Sequence, residues 1–215
     1  DLMHYSIGEI HEDGTDVSHA LAPADEHLDV KQELEDGEPY WYNPDGKWDW
    51  YQIGGRWCGA IKLKDGVEPT PDMYGEPSLL LDKTVDPYFN ARGEHWVDSA
   101  LIEDIDTSLD MQAWNEALED WDKAMNGEVV GLFQTDKTLL RDYIIKENYA
   151  ACRALFYFGY VIDHEGRWHQ MWPDYSWSMN ISDRLKWAQE FERRFLYPLR
   201  YGNKKYRLTA VDIHD

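Results

Sequence analysis

The sequence predicts a single α+β domain, with a largely antiparallel sheet, two hairpins and about three helices packed on it. Three observations carry this expectation. Short β-rich runs flank Gly54-Gly55 and the turn sequence Asp163–Gly166. Helical spacing of apolar residues is confined to stretches near 109–126, 136–153 and 182–196. Those stretches do not alternate regularly with strands, as a parallel sheet would require.

In chain order, HYSIGEIH (4–11) reads as a first strand ended by the turn signal EDGTD. Residues 12–45 are polar and acidic without period, and read mostly as loop. WDWYQI and RWCGAIKLK are separated by Gly54-Gly55, which predicts a two-residue hairpin turn. Residues 67–93 carry four prolines and no clear period, so they form a long excursion from the domain. Met111, Trp114, Leu118, Trp121 and Met125 are spaced three, four, three and four apart, one apolar stripe of a helix stopped by Asn126-Gly127. A second helix is expected over 136–153 with Thr135 as its cap, and a third from Ser182 to about Leu196 with Leu185, Ala188, Phe191 and Phe195 inward. ALFYFGYVI (154–162) reads as an apolar strand turned by DHEG into RWHQMW, and YRLTAVDIHD closes the chain as a last strand.

The formal net charge of −21 argues against a membrane surface or nucleic acid as direct partner, since both require basic faces. The charge is uneven. Residues 1–50 hold fourteen acids against Lys31 and Lys47, whereas residues 183–207 hold eight Lys or Arg against three acids. No apolar run reaches the roughly 20 residues of a membrane span, and the first residues lack a secretory pattern, so the expected location is a cytoplasm. Cys58 and Cys152 sit in no metal or redox spacing and fit small buried apolar groups in a reducing compartment.

The run NPDGKWDWYQIGGRWCG (43–59) concentrates three tryptophans, one arginine and a glycine pair. With a turn at Gly54-Gly55, alternation places Trp48, Trp50, Gln52 and Trp57 on one face and Asp49, Tyr51, Ile53 and Arg56 on the other. Asp49 and Arg56 would then lie about 13 Å apart and not pair. Two readings follow: a tryptophan-faced hairpin covering a core, or an aromatic site in which Trp48, Asp49, Trp50, Tyr51, Arg56 and Trp57 hold an anionic or planar ligand.

No nucleophile elbow, phosphate-binding glycine loop, dinucleotide fingerprint or zinc-protease motif is present, so no catalytic residue is assigned and no cofactor or metal is expected. His11, His164 and His169 beside Asp163 and Glu165 fit solvated loop polarity or a metal held across a hairpin. Asp98, Glu103, Asp104 and Asp106 are the densest carboxylates before the helix, a solvated loop or a Mg²⁺-type group.

Several segments taken together (HYSIGEI, LAPADEHLDV, YNPDGKWDWYQIGGRWCGAIKLKDG, VDSALIEDID, FYFGYVIDHEGRW and LTAVDIHD) resemble a family of uncharacterised bacteriophage and prophage proteins. The hallmark stands here at Asn43, Pro44, Lys47 to Tyr51 and Gly54 to Trp57. The resemblance implies an accessory protein in the host cytoplasm and carries over no catalytic role.

The leading expectation is a non-enzymatic acidic protein that binds a host or phage protein, such as an anti-defence decoy offering carboxylates to a basic cleft. Asp104, Asp106, Glu116, Glu119, Asp120 and Asp122 are the candidate surface. The alternative is a small-ligand or nucleotide binder using the Trp/Arg hairpin. A metal-dependent enzyme is the third reading.

Overall fold

The computed structural model describes residues 4–77, 93–130, 135–171 and 180–214, which group into two compact units. The first comprises residues 1–106, 159–169 and 199–215, and the second 107–158 and 170–198. The sequence predicts one domain; the chain passes between the two units four times, after residues 106, 158, 169 and 198.

The sheet strands of the first unit are β1 (His4–Glu12), β2 (Lys31–Glu35), β3 (Glu38–Tyr42), β4 (Trp50–Gly55), β5 (Ile61–Lys62), β6 (Glu76–Pro77), β7 (Trp96–Val97), β8 (Ser99–Leu101), β9 (Tyr160–Ile162), β10 (Trp168–Gln170) and β11 (Tyr206–His214). The main sheet runs β10-β9-β1-β11-β4-β6, with β8 also on β11. Pairing is mostly antiparallel, as predicted, but β1–β9 and β4–β6 are parallel. β11 is central: β1 covers one edge along its whole length, while β4 and β8 divide the other edge between them. That position buries β11 on both faces, which is why its alternation is unreadable in the sequence.

Register assigns one face of the sheet to Tyr5, Ile7, Glu9 and His11 of β1, opposite Ile213, Val211, Thr209 and Arg207 of β11. Its apolar end packs under the one-turn helix α1 (Ser18–Leu21), where Ile7, Val17, Leu21, Ala24, Trp48, Ile162, Val211 and Ile213 form a core.

The stretch 12–45, expected to be mostly loop, contains α1 and the hairpin β2–β3. Asp36 and Gly37 both have positive φ, 52° and 90°, so they make the mirror-image turn that Asp-Gly favours. The acidity of the flanking residues hid that signal. The 160–170 hairpin forms as predicted, whereas 154–158 is helix end and irregular chain, not strand. Most of the Pro-rich stretch at 67–93 lies outside the described residues; before it the chain makes a short 3-10 turn at Pro71–Met73 and then β6.

The second unit is helical: α2 (Met111–Met125), α3 (Lys137–Leu140), α4 (Lys146–Ala154) and α5 (Ile181–Phe191), followed by a π turn at Glu192–Leu196 and the short α6 (Tyr197–Arg200). Asp110 caps α2 by accepting the Ala113 amide at 3.0 Å, and Gly127 ends it at φ 97°. Ala117 and Ala124 are the fully buried positions of α2, with Trp114, Leu118 and Trp121 packed beside them; Met111 and Met125 at its ends are exposed. The expected helix 136–153 is broken at Ile144, a β-branched residue at φ 68°, and its cap is Asp136, not Thr135. Asn180 likewise replaces Ser182 as the cap of α5. Phe156, Phe158, Phe191 and Phe195 stack edge-on or tilted at 5.2–6.3 Å. Among the described residues no helix is long and apolar enough to cross a membrane.

Candidate functional site

The tryptophan-rich run is not a hairpin. β4 continues through Gly54 and Gly55, pairing with β11 on one side and β6 on the other. The chain turns one residue later than expected, with the Trp57 amide donating to the Gly54 carbonyl at 2.8 Å, and the outgoing β5 pairs with β7 instead of returning along β4. The predicted face assignment therefore falls. Trp48 and Tyr51, assigned to opposite faces, meet edge to face at 5.2 Å in the core, where the Trp48 indole N–H donates to the Leu21 carbonyl at 3.0 Å. Trp50 lies outside that core, 45% exposed, edge-on to His4 and His214. Asp49 pairs with His214 Nδ1 at 2.7 Å, Arg56 is exposed and Trp57 is half-buried. These six residues do not converge on one ligand.

The rest of the run is structural too. Buried Asn43 donates to the carbonyls of Pro23 and Asp25 at 3.0 and 2.8 Å and accepts the Asp45 amide, fastening the turn after α1. The glycine pair answers a different need. Where β4 leaves the edge of β11 and β8 takes it over, backbone amides lose their ladder partners. Two buried carboxylates satisfy them. Asp212 accepts the Arg56 amide at 2.9 Å as well as His4 Nδ1 at 2.9 Å, and Asp98 accepts the amides of Gly59 and Gly75 at 2.6 and 2.7 Å. Burial pushes the Asp98 carboxyl above its ordinary value, with the two amides pulling the other way.

The same divided edge opens a cleft of about 830 Å³. His11, the loop 13–17, Tyr51 to Ile53, Asp72, Tyr74 to Glu76, Ser99, Arg207 and Thr209 line it. Of the six residues expected to hold a ligand, only Tyr51 is among them. A hydrogen-bonded row crosses the cleft: His11 Nε2 shares a bond with Thr209 Oγ1 at 2.8 Å, Thr209 Oγ1 with Ser99 Oγ at 2.8 Å, and Arg207 Nε donates to Ser99 Oγ at 3.2 Å. The guanidinium also reaches Asp13 at 3.2 Å and Asp72 at 3.4 Å. Burial lowers the His11 pKa below its ordinary value. The Asp16 carboxyl is lowered by the Ser18 amide, and Tyr51 is raised by burial and by Asp16.

Glu9 stands in register with Thr209 and two residues from His11, on the same face of the sheet, but is not among the residues that line the cleft. It is 0% exposed, and neither carboxyl oxygen has a hydrogen-bond partner. Burial, reinforced by Asp16, pushes its pKa up to about 8. Glu9 and Arg207 were missed in the sequence. The available signal was an acid at an inward position of the strand, between Ile7 and His11.

The other candidates are dispersed. Asp163 accepts bonds from His169 Nε2 at 2.7 Å, Arg167 Nε at 2.9 Å and the amides of Glu165 and Arg167, while the His164 ring lies against Tyr206. Glu103 pairs with Lys205, and Asp106 with Lys62 at 2.8 Å. Asp104 is half-buried. On α2, Glu116, Glu119 and Asp122 are exposed, whereas Asp120 is half-buried beside Arg153 at 3.4 Å. Among the described residues no three His, Cys, Asp or Glu side chains form a group that could hold a metal ion. Cys152 is buried and Cys58 half-buried, and neither forms a disulfide.

No protein-family model, curated protein or solved structure matches the chain.

Proposed function

We propose that the protein binds a small polar ligand in the cleft beside the divided edge of β11. One observation carries this reading: a cleft of about 830 Å³, within the range of small-molecule sites, gathers the polar side chains of His11, Tyr51, Ser99, Arg207 and Thr209 in one lining. The ligand therefore meets hydrogen-bonding groups and none of the three tryptophans of the run. The test is a melting-temperature screen against nucleotides, sugars, amino acids and amines. A true ligand raises the melting temperature, by the equivalent of about 2.7 kcal/mol at one hundred times its Kd. Thr15→Trp, at an exposed lining position, abolishes that shift. A flat screen, or a shift that survives Thr15→Trp, overturns the reading.

A second reading, binding of a basic host or phage protein by acidic surface, is favoured by the −21 net charge and by the exposed Glu116, Glu119 and Asp122 on α2. Its signature is association that weakens steeply between 50 and 500 mM salt, as the Debye length shrinks from about 14 Å to about 4 Å. Association indifferent to salt, or to Glu116→Lys with Glu119→Lys, sinks it.

A further inference from the structure

We infer that the β2–β3 hairpin is a docking arm that takes an extended segment of a partner protein as a third strand along β2, and that this segment alternates basic and apolar residues. The surface is separate from the cleft, whose lining contains no residue between 28 and 42, and from the acids of α2.

Among the described residues the hairpin pairs with no other strand, and all of β2 and all of β3 but Tyr42 are exposed. A two-stranded sheet open on both faces gains little from its own packing. Register divides its side chains between the faces. One face carries Lys31, Glu33 and Tyr42, which bond one another at 2.7–3.4 Å, with Tyr40 stacked on Tyr42. The other carries Leu34 and Trp41, 73% and 52% exposed, with Gln32 and Pro39. Val30, 57% exposed, extends the same alternation. The first face is satisfied within itself, while the second presents large apolar groups to solvent, the mark of an interaction surface.

Backbone and charge decide the occupant. The two-residue turn at Asp36-Gly37 makes Glu35 and Glu38 a hydrogen-bonded pair, so alternation turns the backbone groups of Gln32 and Leu34 outward on β2, and those of Pro39 and Trp41 outward on β3. Pro39 has no N–H to offer, so the edge of β3 is interrupted and that of β2 is complete. A strand added along β2 runs beside Leu34 on one face and beside Glu33 and Glu35 on the other. Apolar side chains match the first row and basic ones the second. Lys31 is the only basic residue from 28 to 42, against Asp29, Glu33, Glu35, Asp36 and Glu38, and it is already held by Glu33 at 2.7 Å. A second copy of this chain brings the same acids and the same net charge of −21, so it is repelled where a basic segment is attracted.

Fluorescence anisotropy of a labelled heptapeptide, alternating Lys and Val with both ends blocked, tests this on the intact protein. The expected result is binding at least tenfold tighter than that of the same peptide with Ser for Val or with Glu for Lys, together with slowed hydrogen exchange of the Gln32 and Leu34 amides. N-methylation of the peptide's valines or of its lysines, whichever set faces β2, abolishes binding. Leu34→Ser with Trp41→Ser weakens the peptide at least tenfold, and so does Glu33→Lys with Glu35→Lys. Glu116→Lys with Glu119→Lys on α2, and Thr15→Trp in the cleft, change its affinity less than twofold. Binding no tighter than that of the Ser or Glu peptide, binding that survives both N-methylations, or binding without protection of the two amides overturns the inference. Loss of the peptide in the α2 variant does so too, by moving the basic partner to α2. A dimer in sedimentation that Leu34→Ser with Trp41→Ser dissolves also overturns it, because a second copy then holds the apolar face. Should the hairpin variants lose their fold, the peptide comparisons on the parent protein decide alone.

Discussion

Gly55 sits against the Asp212 side chain so closely that a β-carbon built at residue 55 would come within 2.5 Å of Asp212 Cβ. Gly54 stands the same way to Asp98 and to Cys58 Sγ, at 2.9 and 2.8 Å. The glycine pair is therefore explained by two buried carboxylates and by positive φ, 77° and 54°, not by a hairpin turn.

Gly55→Ala combines left-handed backbone strain with a clash against a buried strand, so a loss of about 2–4 kcal/mol is expected. Denaturant unfolding measures it. Asp212→Gly, which removes the β-carbon as well, opens space at residue 55 but strands the Arg56 amide and His4; in the double variant the two losses combine to less than their sum. Additive losses would show that Gly55 answers backbone strain alone.

The buried Glu9 makes stability fall with rising pH. Its pKa is about 8 in the folded protein against the ordinary 4.5, so the native state holds the extra proton between those values. Unfolding free energy then declines as pH rises through that window, by at most about 1.4 kcal/mol per pH unit. Glu9→Gln flattens the slope and is the more stable form at pH 8.5. Denaturation curves at pH 5.5, 7 and 8.5 check both statements.

Asp163 acts in the opposite sense. Burial pushes its carboxyl up, but bonds from His169, Arg167 and the Glu165 amide prevail and hold it at about 2, below the ordinary 3.8. Its contribution is complete above about pH 4 and is lost as pH falls through 2. Asp163→Asn should cost about 2 kcal/mol at pH 7 and remove that part of the acid sensitivity. Acid unfolding followed by circular dichroism reads the difference.

Asn43→Ala leaves the Pro23 and Asp25 carbonyls without their amide donor. A loss of about 2 kcal/mol is expected. Trp48→Ala, which removes a core indole together with its bond to Leu21, should cost about 3–5 kcal/mol. The near-ultraviolet dichroism of the aromatic core, recorded beside the unfolding curves, separates a local effect at residue 43 from loosening of the whole core.

Local patterns determined much by themselves. The inward stripe through Trp114, Leu118 and Trp121 fixed α2, the Asp163–Gly166 turn fixed the β9–β10 hairpin, and the run HYSIGEIH ended by the turn EDGTD fixed the first strand, because each is decided by neighbours within one or two turns of chain. Gly54-Gly55 was misread for the converse reason. The two-residue hairpin and the close approach of a buried side chain both require glycine, and only the long-range pairing of β4 with β11, some 160 residues apart in sequence, separates them. The cleft lay beyond sequence altogether. His11, Tyr51, Ser99 and Arg207 come from four separate strands or strand ends, and they meet because β11 shares one edge between β4 and β8, an arrangement set by the folding of the whole sheet and by no local preference.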